Sequence, residues 1–236
     1  MLSAPVFRLK RQARLMSRQS GTPLHAALDE VALQEGYQSW SHLAASSVKD
    51  RPAPTLLARF SPGDLVLLGA RPGHGKTMLG LELAVEAARA GRRSFIFSLE
   101  ETEAGIRERL VDIGHDPDAH AGKLVIDTSD AICADHIIAS ASAGQDSCFV
   151  VIDYLQALDH RRVHPELGAQ VAALAGFART TRSIVVVISQ IDRAFDPDDK
   201  ALPDLSDVHL PNPVDLTLFT RTCFLHDGAL NISPVN

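Results

Sequence analysis

Residues 69–77 constrain this chain more than any other stretch. They read Gly69-Ala70-Arg71-Pro72-Gly73-His74-Gly75-Lys76-Thr77. The apolar run Leu65–Leu68 precedes them, and the amphipathic run Met78-Leu79-Gly80-Leu81-Glu82-Leu83-Ala84 follows. Strand, glycine-rich turn, Lys-Thr and helix in that order form a cradle for phosphate groups. Backbone N–H groups of the turn and of the first helical turn point at an anion. Lys76 adds a point charge, and Thr77 adds a hydroxyl suited to Mg²⁺. The pattern expects its first glycine at position 70, where this chain has Ala70, a departure of one methyl group. The whole segment Ala70, Arg71, Pro72, Gly73, His74, Gly75, Lys76, Thr77 and Met78 is read as nucleotide-binding. The alternative is an ordinary strand–helix turn.

The surrounding pattern tells what carries this loop. Near-continuous apolar runs at 65–68, 94–99, 123–127, 148–152 and 184–188 alternate with helical spacings. Those helices follow Lys76, include Ile106, Leu110 and Ile113, then Ile132, Ile137 and Ile138, then Leu167, Val171, Leu174 and Phe177. Asp130 is read as the cap of the third of them, and Gly91 as the stop of the first. Such alternation specifies an α/β fold with a mostly parallel sheet flanked by helices. Runs without polar alternation fit strands buried on both faces. Residues 216–219 and 223–226 read as closing strands. Residues 192–213, acidic and aperiodic, read as a long mobile loop.

The N-terminal part is different. Residues 5–19 fit a helix with Leu9, Ala13 and Met16 on one face. Thr22 then reads as an N-cap with Pro23 at the first helical position. Ser39 opens a third short helix through Trp40 and Leu43. The expected organisation is a small all-α head over 1–50, a Pro-rich linker over 51–60 and the α/β domain over 61–236. Residues 1–60 carry 8 basic and 4 acidic side chains, whereas the remainder carries 15 and 25. The acidic body argues against unaided tight binding to nucleic acid. The head is read as a helical cap on the main domain or as a docking element for a partner protein or for nucleic acid.

Three cysteines, an odd count in apolar runs without metal-ligand spacing, fit a reducing cytoplasm. No apolar run is long enough to span a membrane, and the basic start lacks a signal peptide's apolar stretch.

Ligands in such sheets collect at the carboxyl ends of the strands. Glu100, Asp153 and Gln190 all fall there. Hydrolysis of a nucleotide needs a carboxylate for the metal shell, a group that orients water and a polar sensor of the terminal phosphate. Asp153 suits the first need together with Thr77, and Glu100 suits the second, with Glu101 as its competitor. Gln190 suits the third, because an amide both donates and accepts. Helix capping and strand-end turns are the plainer readings of these residues.

The motifs resemble the replicative, DnaB-type hexameric DNA helicases. Ala70–Thr77 is similar to their phosphate loop, and Phe97-Ser98-Leu99-Glu100 to the strand bearing their catalytic glutamate. Val151-Ile152-Asp153-Tyr154-Leu155-Gln156 is similar to their magnesium-aspartate segment. Ser189-Gln190-Ile191-Asp192-Arg193 is similar to their sensor segment, and Val214–Phe219 to a strand after their second DNA-facing loop. The resemblance spans about 58–228 and implies a RecA-like P-loop NTPase fold, with ATP and Mg²⁺ as substrate and cofactor. It assigns catalytic roles to Lys76, Glu100, Asp153 and Gln190, and metal binding to Thr77 and Asp153. It also implies that the loop with Arg161 and Arg162 faces single-stranded DNA, and that subunits assemble into a homo-oligomer. Two departures stand out. The family's late Lys-x-Arg pair has no counterpart after Arg221, and residues 205–211 do not match its Arg-Glu-Ser-Gly-like stretch. The reading is therefore an ATPase of DnaB-helicase type. Its rivals are a regulatory ATP-binding module that docks on a partner and a recombination-type ATPase that filaments on DNA.

Overall fold

The computed structural model describes residues 3–4, 6–40, 42–43, 52–120, 122–143, 147–159, 164–196, 198–210, 212–226 and 229–235. They form two compact units, residues 1–52 with 112–114, and residues 53–111 with 115–236.

The first unit is helical. Helix α1 (Val6–Ser20) and α2 (Leu24–Gln34) bury Leu9 and Ala13 against Ala27, Val31 and Ala32. Leu43 joins this core, with Met16, Leu28, Tyr37 and Trp40 packed around it. Ser39 does open a helical turn, accepting from the His42 N–H at 3.2 Å. Thr22 is not the cap expected of it. Its Oγ1 pairs with Ser20 Oγ at 2.7 Å, so α2 starts one residue later, behind Pro23, without a side-chain cap. Residues expected to be linker form helix α3 (Pro52–Leu57), which from Ala53 onward belongs to the second unit, with Ala53 and Leu56 buried. Both prolines lie in its first turn, where their missing N–H groups break no helical bond.

The second unit is built on a seven-stranded sheet of order β3-β2-β4-β5-β1-β6-β7. The strands are β1 (Leu65–Ala70), β2 (Ser94–Ser98), β3 (Leu124–Asp127), β4 (Phe149–Asp153), β5 (Ile184–Gln190), β6 (Arg221–His226) and β7 (Ala229–Pro234). Pairing is parallel throughout except between β6 and β7. Every residue of β1, β2 and β4 is buried, as their unbroken apolar runs require of strands covered on both faces. Helices α4 (Lys76–Arg89), α5 (Glu103–Asp112), α6 (Ala134–Ser142) and α7 (Leu167–Thr181) connect the strands. Gly91 closes α4 at φ +91°, as its position predicts.

Three sequence expectations give way. Residues 216–218 form a 3₁₀ turn rather than a strand. Asp215 Oδ1 accepts from the Thr217 N–H at 3.0 Å and from Thr217 Oγ1 at 2.6 Å. That local bonding offers the backbone an alternative to the sheet ladder. The 192–213 segment is not featureless: Ile191 bridges antiparallel to Val208, and a capping box of Asp204 and Asp207 closes a turn at Leu205–Asp207. Asp130 does not cap α6, which begins at Ala134. The Ala134 N–H is satisfied by Gln170 Oε1 at 3.0 Å, so a tertiary contact sets the helix start.

Candidate functional site

The carboxyl ends of β1, β2, β4 and β5 converge around the loop 71–75. Ala70 is the last residue of β1, wholly buried and in register with Gln190 of β5. Its extended conformation has no need of glycine, which explains why alanine is tolerated at that position of the motif. The turn itself does need glycine. Gly73 and Gly75 have φ of +82° and +88°, and Gly75 is the left-handed residue from which α4 starts. The His74 N–H donates to the Arg71 carbonyl at 3.2 Å, tightening the loop. Lys76, the first residue of α4, is only 8% exposed.

Strand β5 lies between β1 and β4, so the sheet alone does not bring Thr77 to Asp153. Helix α4 does. Gly80 sits where a Cβ would lie 2.8 Å from Ile188 Cδ1 on β5 and 3.1 Å from Val151 Cγ1 on β4. Only glycine lets the helix come this close, and one turn earlier the Thr77 hydroxyl comes close enough to the Asp153 side chain to favour its charged form.

Asp153 is 4% exposed, and its Oδ1 is buried without a hydrogen-bond partner among the described residues. Burial pushes its pKa up to about 6; the Thr77 hydroxyl and Lys76 pull it down, while Glu100 and Glu101 raise it further. A buried carboxylate oxygen with no donor, beside a threonine hydroxyl and a lysine, is a demand for a cation. Mg²⁺ fits it: that ion takes one or two protein oxygens and completes its shell with water and phosphate. Thr77 and Asp153 would supply those oxygens.

The two glutamates after β2 are distinguished by their partners. Ser98 Oγ accepts from both the Glu100 and Glu101 N–H groups at 3.3 Å and fixes the turn. Glu101 is ion-paired with Arg109 of α5. Glu100 is exposed, ion-pairs with no described residue, and acts more strongly than Glu101 on Asp153. Gln190 is half-buried at the end of β5, and its carbonyl accepts from the His209 N–H at 2.9 Å.

Arg71 is half-buried and Arg193 exposed. Arg161 and Arg162, together with the Asp227-Gly228 turn, lie outside the described residues. Sequence reasoning missed three features. Gly80 was hidden as one glycine in a helix, although a glycine in a helix interior is itself a signal of close approach. His74 stacks on His226 with ring centroids 4.8 Å apart, and Phe195 meets His226 edge-on at 5.2 Å. Gln156 bridges β5 to the segment returning at 205–210. The last two join residues far apart in the chain, and nothing local marks them.

The profile of the AAA domain family matches residues 33–194. Two curated relatives, both described as "Replicative DNA helicase DnaB" and from two strains of Helicobacter pylori, are each 26% identical to this chain over 202 residues. The alignments cover 71% of this chain and 41% and 42% of the relatives, so the chain spans about two-fifths of their length. Among solved structures, one described as an ATPase domain superposes with a TM-score of 0.60 at 18% identity, covering 78% of this chain and 81% of its own. A second, described as "The Structure Of A DnaB-Like Replicative Helicase And Its Interactions With Primase", gives 0.59 at 18% identity, covering 92% and 66%. The RecA-like α/β fold is thus shared with DnaB-type ATPase domains. No helix among the described residues is long and apolar enough to cross a membrane. The chain belongs to the AAA domain family, as a DnaB-like member homologous to the ATPase domains of replicative helicases.

Proposed function

We propose that this chain is a Mg²⁺-dependent ATPase of DnaB-helicase type that hydrolyses the β–γ bond of ATP. The observation that carries the reading is the buried Oδ1 of Asp153, which meets no donor among the described residues and lies beside Thr77, directly after the glycine-rich loop. In this reading the N–H groups of residues 71–77 cradle the phosphates, and Lys76 meets the charge of the terminal ones. Thr77 and Asp153 hold Mg²⁺, which when bound neutralises charge on the phosphate oxygens. Glu100, ion-paired with no described residue and close enough to act on the Asp153 charge, orients the attacking water and takes its proton. A new bond forms between that water oxygen and the γ phosphorus as the bridging oxygen leaves with ADP. Gln190 senses the γ phosphate. Burial at Lys76 and Asp153 supports strong electrostatics, because water is excluded there.

Single-stranded DNA at the loop bearing Arg161 and Arg162, and assembly with further copies or a partner protein through the helical head, complete the proposal. The DnaB relatives and the charge of the head support these two points. One observation favours the regulatory alternative: Thr222–His226 of β6 contains neither lysine nor arginine, so a transition-state cation must come from elsewhere. Phosphate release from ATP, measured with and without single-stranded DNA and alongside a sizing run, separates the two. Turnover that DNA stimulates and Lys76→Ala abolishes supports the motor. Tight ATP binding without turnover supports the regulatory module.

A further inference from the structure

The 3₁₀ turn Leu155–Asp159 begins two residues after Asp153, and its second residue is Gln156. The Gln156 amide nitrogen donates to Ser189 Oγ at 3.0 Å, on the residue before the sensor Gln190. The same nitrogen also donates to the His209 carbonyl. His209 is bound to the sensor on its other side: its N–H donates to the Gln190 carbonyl, and its ring pairs with Asp192 at 3.2 Å. Asp192 in turn donates its N–H to the Asp207 carbonyl at 2.7 Å. One amide therefore ties the metal-aspartate segment, the sensor end of β5 and the returning segment 205–210 into a single hydrogen-bonded unit.

The tie is one-sided. Gln156 Oε1 is buried and meets no donor among the described residues, where only the NH₂ end holds the side chain. An apolar residue would fill the space without leaving an orphaned oxygen. Glutamine at this place is explained by what its nitrogen joins.

We propose that Gln156 is a positioning residue that couples the sensor Gln190 to the segment 205–210. A shift of Gln190 on meeting the γ phosphate then moves that segment instead of being absorbed at the end of β5. This rests on the proposed ATP site and adds to it the route by which the nucleotide's state leaves that site.

The test uses the full chain and two variants, Gln156→Glu and Gln156→Ala. Glutamate keeps the shape but replaces the donor with an acceptor that faces the His209 carbonyl. Amide hydrogen exchange is followed with and without the non-hydrolysable analogue AMP-PNP and magnesium. In the unmodified chain the nucleotide is expected to protect both the phosphate-loop amides and those of Val208 and His209. In both variants the phosphate-loop protection persists and the response at 205–210 is lost. Turnover falls about tenfold, as loss of two neutral hydrogen bonds implies, while KM changes by less than about twofold. A merely structural role would lower protection everywhere, with or without nucleotide. Variants that keep the response at 205–210, or lose phosphate-loop protection with it, overturn the proposal. An unmodified chain with no phosphate-loop protection overturns the ATP reading itself and is recognised by that signal alone.

Discussion

Replacing Asp153 with asparagine should stabilise the protein in the absence of ligand and destroy its response to Mg²⁺ and ATP. Burial holds the Asp153 carboxyl at a pKa of about 6 against an ordinary 3.8. At about 1.4 kcal/mol per unit, the ionised form costs the folded state about 3 kcal/mol. The sign follows from the direction of the shift. The folded state binds this proton more tightly than the unfolded chain, so stability falls as pH rises from about 4 to about 6, and the full cost is present above. The asparagine side chain would carry no charge, but its new NH₂ must find an acceptor, which offsets about 1 kcal/mol. The net gain of about 2 kcal/mol corresponds to a melting temperature higher by roughly 4–8 °C for a chain of this size. Thermal melts in a chelating buffer at about pH 7.5 and about pH 5 read it directly. At the lower pH the natural protein is largely protonated at this site, and the gap narrows by on the order of 1.4 kcal/mol. Adding Mg²⁺ and ATP reverses the order, since only the natural protein gains from the ligand. An Asp153→Asn variant no more stable than its parent at neutral pH, or a gap indifferent to pH, would refute the argument.

Three further outcomes follow from the same geometry. Glu100→Gln should lower turnover about 10²–10⁴-fold with little change in ATP affinity, as loss of a water-orienting base does. Glu101→Gln should only free Arg109 from this ion pair, changing stability by less than about 1 kcal/mol; single-turnover phosphate release compares the two. Gly80→Ala gains about 1 kcal/mol in helix propensity but sets a methyl 2.8 Å from Ile188 Cδ1 and 3.1 Å from Val151 Cγ1. Overpacking of about 1–3 kcal/mol outweighs that gain, and denaturant melts should show a net loss accompanied by weaker Mg²⁺ dependence. Leu9→Ala, in the core of the helical unit, should cost about 2–5 kcal/mol there, read by proteolysis within residues 1–40, and leave ATP binding unchanged.

The parts of the fold legible in the sequence are those governed by local rules. Apolar runs marked the four buried parallel strands β1, β2, β4 and β5, because a strand buried on both faces has no polar alternation to obscure it; β3, at the sheet edge, is only partly buried yet was marked by the same kind of run. Gly73, Gly75 and Gly91 announced their turns, because a left-handed backbone asks for glycine wherever it occurs. The elements misread were decided by partners remote in sequence or by side chains competing for the backbone. Asp215 and Thr217 bent a promising strand into a turn, and Gln170 moved the start of α6 past Asp130. Residues 229–234 form the antiparallel edge strand β7, a pairing that only β6 determines. At the candidate site, the positions of Lys76, Thr77, Glu100, Asp153 and Gln190 at strand and loop ends followed from their motifs. How Thr77 crosses β5 to reach Asp153 did not, since that depends on a helix approach set by Gly80.

The central claim is that the loop 71–77 and the Asp153 carboxylate together hold ATP with magnesium. Titration calorimetry of the purified chain tests it most directly. The account predicts one ATP bound per chain with magnesium, binding strongly weakened by chelation, and no measurable heat of binding for Lys76→Ala. A natural protein that ignores ATP with magnesium present, or a Lys76→Ala variant that binds it equally well, would contradict it.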